Sequence, residues 1–189
     1  MSGGAGRLSL IRHGEIHRRW HNHCYGSADV GLSTRGRAQS RRLAAELQDE
    51  PIDALFSSDL RRARYLAERL AESRPGLEVR LTPLLRERNF GAWEKRPWDS
   101  IYAEVGAEME GMTRHPDTWR PPGGETTFEL RDRVLRLYRG LPSRGHVVLV
   151  CHGGPIAALR GSLAGLPVEA WGRKAPALAT RVVLEEAGG

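Results

Sequence analysis

The sequence predicts an α/β fold: a three-layer α/β/α sandwich around a largely parallel central sheet, with a small helical insertion over the sheet's ligand edge. Three observations carry this. The run His146-Val147-Val148-Leu149-Val150-Cys151 is almost continuously apolar, as a central parallel strand is. Strand-like and helix-like segments alternate in the order β-α-β-α-β, insertion, α-β-α-β. The 189 residues, 40% of them hydrophobic, suit one domain spanning 1–189 with a proper core.

Taken in order, residues 1–6 are Gly-rich and read as a loose N-terminal tail, and residues 7–11 as a buried first strand. Residues 15–31 show no clean period, and Gly, Asn, Ser and Asp punctuate a long loop of the kind that carries function. Ser33 is placed to cap a helix running to Leu47, with Leu43 and Leu47 inward. Residues 53–56 form a short strand ending in Ser57-Ser58-Asp59, read as an N-cap cluster. The next helix reaches about Ala71, with Ala63, Leu66, Ala67 and Leu70 as its buried stripe. Pro75-Gly76 turns the chain, and residues 78–81 alternate like a strand. Residues 96–120 carry weak helical patterning and few aliphatics, and form the helical insertion; Trp93, Trp98 and Trp119 are read as packing. Thr126 and Glu129 make a capping box, and that helix is expected to continue to Leu141. After the 146–151 strand, Pro155 is expected at the first helical position, with Ile156, Leu159 and Leu163 inward. Residues 180–184 give a last β-branched strand.

The formal net charge is +6, and of the 29 Lys and Arg residues only Lys95 and Lys174 are lysines. The arginines alternate with acids along helices, which favours a small anionic substrate over nucleic acid. No apolar run approaches the ~20 residues of a membrane span, and the start lacks an apolar signal region. No membrane partner and a cytoplasmic location are therefore expected. Cys24 and Cys151 make no disulfide framework and fit a reducing compartment. Oligomeric state is not readable here, and a homodimer stays open.

Two strands end in histidine-glycine: Ile11-Arg12-His13-Gly14 and Val150-Cys151-His152-Gly153. A third ends in Ser57-Ser58-Asp59-Leu60-Arg61-Arg62. Ends of parallel strands share one edge, the edge where such sheets bind ligands. Two histidines and several arginines therefore converge, and helix N-termini after His152 and near Asp59 add backbone donors for an anion. Arginine's charged fork suits phosphate, and Gly14 lets the backbone approach a ligand closely. The pattern points to a nucleophilic or acid–base histidine in a cationic phosphate pocket.

Four ordered motifs extend the pattern: Leu10-Ile11-Arg12-His13-Gly14-Glu15, Ser57-Ser58-Asp59-Leu60-Arg61-Arg62-Ala63, Leu85-Arg86-Glu87-Arg88-Asn89-Phe90-Gly91-Ala92-Trp93-Glu94 and Cys151-His152-Gly153-Gly154. With them the chain resembles the histidine phosphatase superfamily, the phosphoglycerate mutase-like group, over nearly its whole length. Pro122-Gly123-Gly124-Glu125-Thr126 resembles the phosphatase branch, and Leu166-Pro167-Val168-Glu169-Ala170-Trp171 is similar to α-ribazole phosphatases. The resemblance implies a metal-independent phosphomonoesterase with a phosphohistidine intermediate on His13. It makes Arg12, Arg62 and His152 the holders of the phosphoryl oxygens, with His152 cationic or at least a donor. It makes Glu87 the general acid, in apolar surroundings that Phe90 and Trp93 suggest. Arg62, one position before Ala63, is the phosphate arginine rather than Arg61. The substrate is a small phosphate ester, and Gly14, Arg19, His23, Gly26 and Gly153 are expected to contact it.

The loop after the first motif departs from the family pattern. Ile16 stands where a threonine is usual, Arg19 where an asparagine is, and His23 where an arginine is. Three rival readings come with the sequence. His17, His21, His23 and Cys24 offer zinc-type ligands within eight residues, but no matching pair is spaced elsewhere, so neither metal nor cofactor is expected. Phosphoglycerate mutase-type transfer resembles longer chains with larger inserts. A non-catalytic phosphate-binding module would need neither nucleophile nor acid. For Glu87 the alternative role is a surface salt bridge with Arg86 or Arg88.

Overall fold

A computed structural model describes residues 6–185; residues 1–5 of the expected tail lie outside them. Five strands form one sheet in the order β3-β2-β4-β1-β5. They are β1 (Arg7–Arg12), β2 (Ala54–Ser58), β3 (Val79–Thr82), β4 (His146–Cys151) and β5 (Arg181–Glu185). The first four run parallel, and β5 pairs antiparallel with β1. The register Arg12↔Cys151 brings the ends of β1 and β4 level, so His13 and His152 leave the sheet side by side.

The pleat divides the core. Leu8, Leu10, Val147, Leu149 and Cys151 face α5 (Thr127–Arg139) and α6 (Gly153–Leu163). Ile11, Leu55, Val148 and Val150 face α1 (Thr34–Glu46) and α2 (Arg61–Glu72). Every residue of β4 is buried, which is why it reads as one apolar run. Leu66 and Leu70 of α2 are fully buried; Leu66→Ala would cost about 2–5 kcal/mol through lost burial and the cavity left behind.

Local signals set the helix starts. Ser33 accepts from Gly36 N–H and caps α1. Thr126 and Glu129 form a reciprocal capping box that opens α5. Four expectations need correction: Leu163, expected inward on α6, is 46% exposed, and three more concern caps and helix ends. Ser57 and Ser58 are not caps: both are buried in β2, and α2 starts after Leu60, which makes no side-chain cap. Pro155 is the third residue of α6 rather than the first, tolerated because the first-turn N–H groups have no helical partner anyway. α5 stops at Arg139 with Gly140 as its C-cap, short of Leu141.

Between β3 and α5 the chain forms α3 (Trp98–Val105), a 3-10 turn and the short α4 (Gly111–Arg114). These sit over a third cluster: Cys24, Trp93 and Ile101, with Phe90, Trp98, Val105, Met109 and Trp119 packed on it. The tryptophans pack against neighbours, Trp93 and Trp119 with centroids 5.7 Å apart. The helix-surface arginines pair with acids one turn away, as in Arg42–Glu46 and Arg64–Glu68. Both cysteines are free and buried. Among the described residues no helix is long and apolar enough to cross a membrane.

Candidate active site

His13 follows β1 and is buried, 1% exposed. Its Nδ1 donates to the Gly14 carbonyl at 2.6 Å. That bond fixes the tautomer and leaves the lone pair on Nε2. Burial, the Arg62 charge and, less strongly, Arg12 push the imidazole down from 6.5 to about 3, against the upward pull of the Gly14 bond. His13 is therefore neutral, with one uncommitted basic nitrogen.

His152 lies beside it, ring centroids 5.0 Å apart and planes at 61°. Its Nδ1 accepts from Arg62 Nε at 3.2 Å, and its Nε2 donates to Ser58 Oγ at 2.9 Å. Burial, then Arg62 and His13, hold it well below its ordinary range. A cationic His152 would set an Nδ1–H against the Arg62 N–H, so the imidazole is neutral here, and its one donor points at Ser58. Of the two expected states, a cation or at least a donor, it takes the second, with the donor engaged by Ser58. This also explains the buried serines of β2: Ser58 is drawn inward by His152 and by Leu60 N–H.

Arg62 is fully buried on the first turn of α2. Its Nη1 and Nη2 donate to the carbonyls of Ala28 (2.7 Å) and Gly26 (2.6 Å), and its guanidinium lies 5.2 Å from the Tyr25 ring centroid. Arg61 next to it is exposed and bound to Asp29. The helix turn thus sends one arginine of the pair inward and the other out. Arg12 donates to the Pro176 carbonyl at 2.9 Å, while its Nε is buried without a hydrogen-bond partner. Gly153 gives Arg12 room: a Cβ there would lie 3.2 Å from the guanidinium carbon.

Glu87 reaches the same edge from the segment after β3. Its carboxylate accepts from Gly154 N–H at 3.2 Å through both oxygens, and from its neighbour Arg88 N–H at 2.9 Å. A helix N-terminus favours a carboxylate in this way. One donor that sequence reasoning offered to a phosphate is thus occupied by Glu87. Arg86 pairs instead with Asp59 at 2.5 Å, and the Arg88 side chain turns away to Thr127. The surface-salt-bridge alternative for Glu87 is not what the chain forms.

Of the expected substrate contacts, Gly14 supplies the carbonyl for His13, and its missing Cβ admits Gly36, whose oxygen would otherwise lie 2.4 Å away. Gly26 has φ +35° and passes so close to Arg88, Phe90 and Glu94 that no Cβ fits. His23 lines the cavity described below. Arg19 sits on an exposed 3-10 turn (Arg18–Trp20) with its guanidinium 5.0 Å from the Trp20 ring centroid, away from the cavity lining. The histidine–cysteine cluster does not converge. His17 accepts from Arg19 N–H, His21 bonds the Ile16 carbonyl, and Cys24 is buried in the third cluster, its thiol pushed up to about 12 by burial. Among the described residues no three His, Cys, Asp or Glu are placed to hold a metal ion.

Residues 8–189 match the family model of the histidine phosphatase superfamily, branch 1. The chain belongs to that superfamily. It is 36% identical over 181 residues to glucosyl-3-phosphoglycerate phosphatase of Mycobacterium tuberculosis, covering 88% of this chain and 79% of that protein. It is 33% identical over 171 residues to a probable phosphoglycerate mutase of Escherichia coli, covering 89% and 78%. The mycobacterial glucosyl-3-phosphoglycerate phosphatase solved with inorganic phosphate superposes with a TM-score of 0.80 at 34% identity, covering 95% of this chain and 89% of that one. The α-ribazole phosphatase of Shigella flexneri gives 0.80 at 27% identity, covering 94% and 89%. The chain is a phosphatase of the histidine phosphatase type.

In this histidine phosphatase a cavity of about 390 Å³ opens beside the histidines, sharing Tyr25, Gly26, Glu87 and Gly154 with them. Its outer walls come from the 96–120 segment and from the turn after α6 that holds Val168 and Trp171. Sequence reasoning missed three residues here. Tyr25 lies under Arg62; burial and then Glu87 raise its phenol, which keeps it a neutral hydroxyl. Gly154 is required because a Cβ would lie 2.2 Å from Glu87 Oε1. Arg88 looks like half of a surface charge pattern and is buried. The second glycine of His152-Gly153-Gly154 was the available signal for Gly154; the other two follow from the loop path alone.

Proposed function

We propose that this phosphatase hydrolyses a small phosphate monoester by double displacement at His13. The observation that carries the reading is the neutral His13 with its uncommitted Nε2, set among Arg12, Arg62 and Glu87. In the first step Glu87 takes the proton of the bound monoanionic ester, the Nε2 lone pair forms a bond to phosphorus, the bond to the ester oxygen breaks, and Glu87 passes that proton to the departing alkoxide. In the second, Glu87 takes a proton from water, which attacks the phosphohistidine and releases inorganic phosphate and neutral His13. Arg12 and Arg62 face the charge that develops on the phosphoryl oxygens. His152 holds Arg62 in place through its Nδ1 and would turn more basic once a phosphoryl dianion offsets the arginine charges. The 96–120 segment covers the site within one domain.

Support comes from the relatives named as phosphatases and from the related structure solved with inorganic phosphate. The relative named a probable phosphoglycerate mutase favours a second reading, transfer of the phosphoryl group back to a bound alcohol. The test is hydrolysis of p-nitrophenyl phosphate in EDTA, from about pH 5 to pH 8, by wild type and His13→Ala. Activity that survives EDTA, vanishes with His13 and releases inorganic phosphate supports hydrolysis. Phosphoryl transfer to an added alcohol without phosphate release would support the mutase reading.

A further inference from the structure

The cavity beside the histidines contains a cation that the reaction above does not use. Arg88 is 7% exposed and lines this cavity. Its Nη2 donates to Thr127 Oγ1 at 2.5 Å, and its guanidinium lies 5.7 Å from the Phe90 ring centroid. Neither nearby carboxylate pairs with it. Glu125 is held by Arg133 at 2.7 Å, and Glu87 by the Gly154 N–H. Arginine is seldom buried unpaired, because a charge out of water without a counter-ion is costly. The wall around Arg88 is mainly apolar, with Phe90, Trp98, Leu130, Ala157, Val168 and Trp171. His23, Tyr25, Glu87, Thr113 and Thr127 are its other polar members. A concave, mainly apolar space with a few placed polar groups is the ordinary form of a small-molecule site, and ~300–1,000 Å³ is its ordinary size.

Resting on the phosphatase reading, we propose that this cavity receives the leaving alcohol, and that the alcohol carries an apolar, ring-sized body ending in an anionic group that pairs with Arg88. The ester oxygen must lie at Glu87 to receive its proton, so the rest of the alcohol extends from Glu87 into the cavity. Arg88 is the next residue, lining the same space. Leu166–Trp171, the stretch noted in the sequence but given no role by the reaction, closes the far side through Val168 and Trp171. The aromatic and aliphatic walls favour a flat or aliphatic body over a polyol, whose hydroxyls facing Phe90, Trp98, Leu130, Val168 and Trp171 would go unpaired. A carboxylate is the simplest anion for Arg88.

The test compares three esters with alkoxide leaving groups on the whole chain: 4-carboxybenzyl phosphate, benzyl phosphate and glycerol 1-phosphate. In the wild type kcat/KM is expected to fall in that order, with the carboxylate worth about tenfold, the size of one charge-assisted hydrogen bond. In Arg88→Gln the ratio of 4-carboxybenzyl to benzyl phosphate is expected to fall to about one. The ratio is read within each enzyme, so a general loss of activity cancels. Equal cleavage of the two benzyl esters by the wild type overturns the proposal without any variant, and so does a preference that Arg88→Gln retains. Glycerol 1-phosphate preferred over benzyl phosphate overturns the apolar part. Failure on all three esters while p-nitrophenyl phosphate is cleaved removes this inference alone. Failure on p-nitrophenyl phosphate as well removes the phosphatase reading with it.

Discussion

The ends of β1 and β4 carry the same dipeptide, histidine-glycine, and put it to different use. Both imidazoles are buried, and burial keeps both neutral. His13 engages one nitrogen, on the carbonyl of the next residue, and keeps the other. His152 engages both, with Arg62 on α2 and Ser58 on β2. Strand register brings the two rings together; the second hydrogen bond decides which one can react and which one holds other groups still. Replacing His13 should therefore hurt chemistry more than folding, and replacing His152 should hurt both.

His13→Ala is expected to lower kcat on p-nitrophenyl phosphate by at least about a thousandfold, the scale of losing a nucleophile. His152→Ala should lower kcat by about a hundredfold through a displaced Arg62. It should also cost about 1–3 kcal/mol of stability, because Arg62 Nε and Ser58 Oγ lose a buried partner. Urea denaturation of both variants checks the contrast: a His13→Ala protein less stable than His152→Ala breaks it. Glu87→Gln extends the comparison from the floor of the site to its rim. The loss should be about tenfold to a hundredfold greater on alkyl than on aryl phosphates, because an aryl leaving group hardly needs a proton. Equal losses on both would take Glu87 out of the acid role.

A further contrast lies in pH-dependent stability. His13 titrates at about 3 when folded and near 6.5 when not. Between those values the unfolded chain binds a proton that the folded chain does not, so stability rises with pH across that window. The contribution is complete above 6.5 and is lost progressively as pH falls toward 3, at up to about 1.4 kcal/mol per pH unit. Urea midpoints between about pH 4 and pH 7 should climb less steeply in His13→Ala than in the wild type.

Local signals made much of the fold legible. The apolar run 146–151, the Ser33 cap and the Thr126 capping box each depend on a few neighbouring residues, and each matches the structure. The end of β2 was not legible, because pairings from elsewhere set it: Ser57 with Val150 and Ser58 with Thr82. The same limit applies at the site. His13, Arg62 and His152 were readable because their motifs lie at strand ends and a helix start, where topology alone brings them together; Glu87, in the irregular segment after β3, was readable only through the family motif. Arg88 and Tyr25 were not, because their environment depends on how the loops around residues 25 and 88 fold over each other. Closeness in sequence does not bring residues 17 and 21 to one ligand either: His17 accepts from Arg19 N–H and His21 bonds the Ile16 carbonyl.

Gly154 has a consequence for how the enzyme could diversify. Its N–H holds the Glu87 carboxylate, and two residues earlier His152 is the N-cap of the same helix. The proposed proton donor and the proposed phosphoryl cradle are thus mounted on one turn of α6, like two jaws fixed to a single gauge. The interval between phosphorus and departing oxygen is set by that turn, whatever encloses the rest of the alcohol. Changes at Trp98 or Val168 can reshape what is accepted while the bond-breaking geometry stays where it is.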